Sequence, residues 1–175
     1  ELKCLSVERK KELVKEFVFY LLQRKSHIFD RNLLHEMQQF FIVSKEPFRA
    51  QRDARTMSRI ICTHYYFRRK LLSTVRLYAK DKRFVFMKCC RISLTSGPQK
   101  KNVLGLIIGI NFLRENEFLR DKHVLMAVKN YLSDVNVVEG SYIENRDSEG
   151  LINLMYLEIE KKNAADFSNE EMSLL

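Results

Sequence analysis

The chain has 175 residues, of which 46% are hydrophobic and 30% charged, and its formal net charge at pH 7 is +9. A chain of this length can bury roughly 70% of its unfolded surface, so it needs neither disulfides nor a metal in order to fold. Its longest uncharged run, residues 102–113, is far shorter than the roughly 20 residues that span a bilayer, which argues against a membrane-spanning helix.

The spacing of the cysteines indicates neither a disulfide framework nor a zinc site. Cys4, Cys62, Cys89 and Cys90 show neither a CxxC spacing nor a pairing with histidine. We therefore expect reduced thiols, no metal and no cofactor. Without a signal-peptide pattern, this predicts a cytoplasmic location. Because the chain begins with Glu1 rather than methionine, an alternative left open is that it is an excerpt of a longer chain.

Charge is divided unevenly along the chain. Residues 1–101 carry 24 Lys and Arg against 9 Asp and Glu, whereas residues 102–175 carry 7 against 13. Such an asymmetry predicts either an anionic partner for the first half or attraction between the two halves.

Three helices are predicted in the first half. Ser6 is a plausible N-cap for the first, and Asp30 for the second, because apolar residues recur three and four positions apart after each of them. Residues 46–80 contain proline only in the first turn and no glycine, which predicts one long helix, with a break near Ser58 left open.

The second half alternates between strands and helices. Alternating apolar residues predict a strand over 84–94, and the continuous apolar run 103–113 predicts a central strand that is covered on both sides. The later predicted elements are a helix over 121–132, strands over 137–143 and 151–159, and a last helix that begins with a capping box at Ser168.

These elements predict an α+β fold in which an N-terminal helical region packs on a small, mainly antiparallel sheet. The order from residue 84, strand-strand-helix-strand-strand-helix, corresponds to a ferredoxin-like unit with a displaced or missing edge strand, and the strand at 84–94 could fill that vacancy. We place a boundary between a basic helical region, 1–82, and an α+β region, 83–175, with one continuous domain as the alternative.

A helical projection of residues 46–80 separates two faces. Apolar residues form a wide stripe that would face the core. The opposite side carries basic residues and one tyrosine, a set that suits binding to carboxylates or phosphates. The residues predicted to contact an anionic partner are Arg52, Arg55, Arg59, Tyr66, Arg69, Lys70 and Arg76.

Arg68 and His64 fall on the apolar side of the same helix. A buried arginine is costly unless it is paired, so Arg68 must reach solvent, find an acidic partner or mark a local break in the helix. We interpret His64 as a core histidine rather than a catalytic base.

Glycines mark one face of the central strand. Gly105, Gly109 and Asn111 share this face, where either a helix packs closely or a ligand approaches the backbone.

Cys89 and Cys90 should point to opposite faces of their strand, and a nucleophilic role for either is the weakest functional hypothesis. Glu158 and Glu160 share another strand face, which we interpret as running out of the core into solvent.

The sequence thus predicts a non-enzymatic binding or regulatory domain that engages an anionic partner. An acidic protein is favoured over nucleic acid, which stays a weaker alternative because no nucleic-acid-binding signature is present. The second hypothesis is a small-molecule sensor, because the element order resembles that of ACT-type regulatory domains. That resemblance implies a ligand near Gly105, Gly109 or the edge at 134–139.

Overall fold

The first layer of the structure consists of four helices. They are α1 (Val7–Arg24), α2 (Asn32–Val43), α3 (Glu46–Gln51) and α4 (Ala54–Leu77). The computed structural model describes residues 6–77, 82–96, 99–114, 116–147, 150–163 and 165–175. Three parts of the predictions lie outside these residues: the end of the long helix at 78–80, the turn that Gly97 and Pro98 predict after the first strand, and Cys4.

The predicted long helix is two helices. Arg52, just after α3, has an extended backbone, and the Asp53 carboxylate then accepts a hydrogen bond from the Thr56 N–H at 2.7 Å. Aspartate is a strong N-cap, so it starts a new helix at this point. The break therefore falls at residues 52–53, not near Ser58.

A five-stranded antiparallel sheet forms the second layer. Its strands are β1 (Val85–Ser96), β2 (Gln99–Asn111), β3 (Val135–Val137), β4 (Ile143–Arg146) and β5 (Ile152–Lys161). The order across the sheet is β1-β2-β5-β3, and β4 pairs with the same edge of β5 as β3 does. The α+β class is confirmed, and β1 occupies the vacancy in the predicted ferredoxin-like order.

The single strand predicted at 137–143 is instead divided into β3 and β4. Gly140 between them has φ +69°, a left-handed conformation that favours glycine. Ser141 accepts a hydrogen bond from the Glu158 N–H at 3.0 Å and donates one to the Val138 carbonyl at 2.7 Å. The chain therefore leaves β5 after β3 and rejoins it at β4.

Both faces of the sheet are covered. One face packs against α1–α4, and Ile107, Leu154 and Tyr156 belong to this core together with Leu71 of α4. The other face packs on α5 (Asp121–Lys129), whose Val124 and Val128 point inward. The predicted double coverage of β2 is confirmed, and residues from both predicted regions, 1–82 and 83–175, build the first core.

The last helix, α6 (Asn169–Ser173), begins with the predicted capping box. Ser168 accepts a hydrogen bond from the Glu171 N–H, and the Glu171 carboxylate accepts one from the Ser168 N–H. Among the described helices, none has both the length and the apolar composition that crossing a bilayer requires.

Candidate functional site

A basic stripe runs along α4, mostly on the side that faces away from the sheet, with Lys70 reaching Phe86 on the edge strand β1. Arg55, Tyr66, Arg69, Lys70 and Arg76 are exposed, and Arg59 is half-buried. Together these six residues are the basic stripe. From Arg55 to Arg76 it spans about 31 Å, at 1.5 Å per helical residue.

The acidic second half does not cover this stripe. The sheet packs on the opposite side of α4, against Ile60, Phe67 and Leu71, and the Arg69 side chain is 58% exposed. Acidic residues of the second half form ion pairs elsewhere: Glu117 with Arg83, Glu144 with Arg146, Glu160 with Lys101, and Glu171 with Lys161. The charge asymmetry therefore leaves a basic surface accessible to solvent.

Two members of the stripe are held by neighbouring groups. Arg69 donates to the Ile28 carbonyl at 2.9 Å and to the Tyr65 hydroxyl at 3.0 Å, and its guanidinium lies 3.8 Å from the Asp30 carboxylate. The Lys70 ammonium lies 4.7 Å from the centre of the Phe86 ring. These contacts reduce the conformational entropy that both side chains would lose on binding a partner.

Arg52 does not belong to the stripe, because it is only 1% exposed. Its extended backbone turns the side chain toward β5, where its Nε and Nη2 atoms donate to the two Glu158 oxygens at 2.8 and 2.5 Å. Nη1 donates to the Phe48 carbonyl at 2.8 Å, and the guanidinium stacks 3.9 Å from the Phe48 ring centre. The prediction of an exposed Arg52 is wrong, since its role is to join two layers.

Glu158 is 0% exposed, so the expectation that this strand runs out into solvent at Glu158 is also wrong. The Tyr156 hydroxyl donates to the Glu158 carboxylate at 2.6 Å. Burial, reinforced by this carboxylate, raises the pKa of Tyr156 well above its usual value, so the hydroxyl remains a donor. Because side chains alternate along a strand, Glu158 lies on the same side of β5 as the buried Tyr156. This two-residue spacing is the sequence feature that could have predicted a buried carboxylate.

Arg68 has an acidic partner, which is one of the predicted outcomes. Its Nε contacts the carboxylate of Glu36 on α2, and the side chain of Glu36 is almost completely buried. The amide of Asn145 on β4 lies within 3.3 Å of that carboxylate and 3.1 Å of the Arg68 guanidinium. The helix stays regular at Arg68, because a neighbouring helix supplies the compensating charge.

His64 lies one turn before Arg68 and is buried. Its Nε2 atom has no hydrogen-bond partner among the described residues. Burial lowers the pKa of His64 to about 4. A backbone hydrogen bond with Met155 opposes this decrease, whereas the positive charge of Arg68 adds to it. The predicted core position of His64 is confirmed, but only part of the hydrogen-bonding capacity of its ring is used.

The glycine face of β2 is packed rather than open to a ligand. A Cβ at Gly109 would lie 3.0 Å from the Cβ of Phe67 on α4, and one at Gly105 would lie 3.0 Å from both Ile92 and the Tyr156 hydroxyl. Asn111 accepts from the Phe84 N–H at 2.5 Å and donates to the Lys82 carbonyl at 2.9 Å. Close packing against α4 accounts for Gly109, and packing against Ile92 and Tyr156 of the neighbouring strands accounts for Gly105, so of the two alternatives close packing holds and the ligand face does not.

Gly109→Val is expected to lower the free energy of unfolding by about 1 to 3 kcal/mol, because a bulky side chain there overpacks the contact with α4. Urea denaturation measures this loss. Gly140→Asn is the matched control: nothing lies within 4 Å of a Cβ at Gly140, and asparagine tolerates positive φ. Equal stability of the two variants would contradict close packing at Gly109.

The two adjacent cysteines lie on opposite faces of β1, as predicted. Cys90 belongs to the core under α4, whereas Cys89 packs against the core under α5. Burial raises the pKa of both thiols. Since the thiolate is the nucleophile, this environment disfavours the cysteine-based chemistry considered above.

A cavity of about 580 Å³ lies beside the connection between β3 and β4. It is lined by Lys45 and Phe48 at the start of α3, by Glu139 in the connection, and by Lys101 and Glu160 on the strands. Charged groups of both signs therefore surround it. Within the described residues, no three His, Cys, Asp or Glu side chains stand close enough to hold a metal ion.

Comparison of the chain with protein-family models, with curated proteins and with solved structures finds no match. Its function is therefore inferred from the geometry described above.

Proposed function

We propose that this chain is a non-enzymatic binding or regulatory domain that engages an anionic partner through the basic stripe of α4. The main support is that five of the six residues of the stripe are exposed, whereas the apolar residues of the same helix pack in the core against the sheet. Only Arg69 has an acidic contact among the described residues, so most of the stripe's charge is available to a partner.

An acidic protein surface suits this stripe better than nucleic acid does. The stripe lies on the outside of a helix and carries a single exposed aromatic residue, Tyr66, whereas proteins that bind single strands stack successive bases on several aromatics. Arginine forks bind carboxylates as well as phosphates in a bidentate manner, so an acidic protein can satisfy these charges without stacked bases. A cytoplasmic location is part of this proposal, as the sequence predicts. The described thiols of Cys62, Cys89 and Cys90 are free, which suits the reducing conditions of that compartment.

Reversing three exposed charges is expected to weaken binding to a labelled dodecamer of glutamate by about 100-fold, roughly 2.8 kcal/mol at 1.4 kcal/mol per tenfold. The variant is Arg55→Glu/Lys70→Glu/Arg76→Glu, which spares Arg69 because its guanidinium is hydrogen-bonded within the fold and Arg59 because it is half-buried. Fluorescence anisotropy at 50 mM salt gives the dissociation constants. Binding by the parent chain should also fall steeply between 50 and 200 mM salt.

The control reverses the same number of charges on the opposite layer, at Arg114, Lys122 and Lys129, which are exposed beyond the other face of the sheet. It should bind within about threefold of the parent chain, since exposed charges further away than a Debye length of ~10 Å are largely screened. Equal losses in both variants, tighter binding to a 20-base-pair duplex, or no binding to the glutamate peptide would each defeat the proposal.

A second candidate function is the binding of a small zwitterion, and the cavity beside Glu139 favours it. This cavity lies at the 134–139 edge, one of the places that the resemblance to ACT-type domains implies. The Lys45 ammonium and the Glu139 carboxylate could hold the two ends of an amino acid, beside the Lys101–Glu160 ion pair.

A thermal-shift screen of amino acids and nucleotides tests this second function. A ligand at 100 times its dissociation constant stabilises by about 2.7 kcal/mol, which should raise Tm by roughly 5 to 10 °C for a chain of this size. Lys45→Ala/Glu139→Ala, two exposed positions, should abolish the shift. A flat screen, or a shift that the double variant keeps, would rule the site out.

A further inference from the structure

A groove of about 530 Å³ lies between α1 and α4. Its apolar walls are Leu13 and Phe17 of α1 with Ala54 and Cys62 of α4. The Phe17 side chain is 41% exposed at the rim of the groove, whereas the Cys62 thiol is partly buried at its floor, and this burial raises the pKa of the thiol to about 11. An apolar depression of this kind between two helices commonly marks an interaction site.

Aromatic side chains continue the groove at one end. Tyr20 follows Phe17 by three residues on α1, Tyr66 follows Cys62 by four on α4, and both rings are more than half exposed. From Ala54 to Tyr66 the α4 wall is about 18 Å long, at 1.5 Å per residue. That length matches three turns of a docked helix.

The charges at the groove are basic. Arg55 and Arg59 stand on its α4 side, and no acidic residue lines it within the described part of the chain. The nearest carboxylates on α1 are already paired, Glu12 with Lys15 and Glu16 with Arg9. The basic stripe is continuous with this rim, because Arg55, Arg59 and Tyr66 belong to both surfaces.

The apolar walls and the basic rim of the groove distinguish between three kinds of binding partner. A second copy of the chain would bring its own basic stripe and a net charge of +9 toward an identical surface, which is repulsive. Nucleic acid would meet the charges but would leave the apolar walls unfilled. An amphipathic helix with carboxylates beside its apolar face satisfies both the groove and the rim.

We propose that the groove between α1 and α4 binds an acidic amphipathic helix of a partner protein. Apolar side chains at positions i, i+3 or i+4, and i+7 of that helix pack between Phe17 and Cys62, and its flanking glutamates or aspartates meet Arg55 and the rest of the basic stripe. This inference rests on the proposed function and names its class of partner.

The test begins with a display library of random 16-residue peptides panned against the whole chain. Enriched peptides are expected to carry apolar residues at the helical spacing above, with acidic residues beside them. Synthetic versions should gain helical circular dichroism on binding and lose at least tenfold in affinity when the apolar residues are scrambled at constant composition.

Two phenylalanine variants on α1 locate the binding. Phe17→Ser should weaken the enriched peptides at least tenfold in anisotropy titrations. Phe19→Ser is the matched control, because Phe19 is also exposed but points to a different side of the helix. It should leave the affinity within about twofold, and equal thermal melts of the two variants would show that folding is not the cause.

Several results would overturn the inference while leaving the basic stripe intact: no enrichment, enrichment without the helical spacing, or peptide binding that Phe17→Ser does not change. A dimer in light scattering that dissociates on Phe17→Ser would assign the groove to a second copy and overturn it as well. Loss of binding to the glutamate dodecamer is the separate result that tests the proposed function.

Discussion

Glu158→Gln is expected to lower the free energy of unfolding by about 3 to 5 kcal/mol, the range measured when one member of a buried ion pair is removed. The change leaves the Arg52 guanidinium charged and almost fully buried, with its contacts to Phe48 and Gln51 and a neutral amide in place of the carboxylate. Urea denaturation of the two chains gives the difference directly.

A double variant separates the charge effect from lost packing. Arg52→Met/Glu158→Gln removes both charges and should be at least about 2 kcal/mol more stable than the sum of the two single changes predicts, because an unpaired buried charge is the costly state. Strict additivity would show that the pair is not coupled.

Glu160→Gln is the matched control on the same strand. Its partner Lys101 is about half exposed, and partly exposed pairs contribute about 0 to 1 kcal/mol. A loss as large as that of Glu158→Gln would contradict the assignment of the effect to burial.

The chain should lose about 3 kcal/mol of stability through His64 as the pH falls from 6.5 to 4. An unfolded histidine takes up a proton near pH 6.5, whereas burial holds the pKa of folded His64 at about 4. Between these values the unfolded state binds more protons, so lowering the pH favours unfolding. More than about one unit above pH 6.5 the ring is neutral in both states and contributes no pH dependence.

Comparison of histidine variants isolates this effect from the carboxylates that titrate nearby. His64→Leu should flatten the stability curve between pH 6.5 and 4 relative to the parent chain, since leucine suits the apolar surroundings and removes the titrating group. His35→Leu, at an exposed position of α2, should leave the slope unchanged. Parallel curves for the parent and His64→Leu would refute the prediction.

The architecture could be predicted from the sequence where local pattern and tertiary packing agree. Long apolar periodicities gave α1, α4, β2 and α5 their approximate positions, and the capping box at Ser168 marked α6. The faces of α4 followed from helical geometry alone, so the exposure of Arg55, Arg69 and Arg76 could be anticipated.

What the sequence did not reveal depends on partners that are distant along the chain. Arg52 and Glu158 are 106 residues apart, so neither residue's neighbours indicate the other's charge. The glycines of β2 allowed two interpretations until the position of Phe67 was known. Asp53 and Gly140 were local signals, one for a helix start and one for a strand break, that the smooth apolar periodicity obscured.

The span of the ion pair from Arg52 to Glu158 also determines when the chain can complete its fold. Most of the helical layer's sheet-facing surface meets β2 and β5, and β5 is synthesised about 100 residues after Arg52. Until β5 emerges from the ribosome, the apolar side of α4 has an incomplete sheet to cover it and Arg52 has no counterion. Helical segments can form early, but the final docking of α4 must wait for β5, a contact of high sequence separation that slows folding.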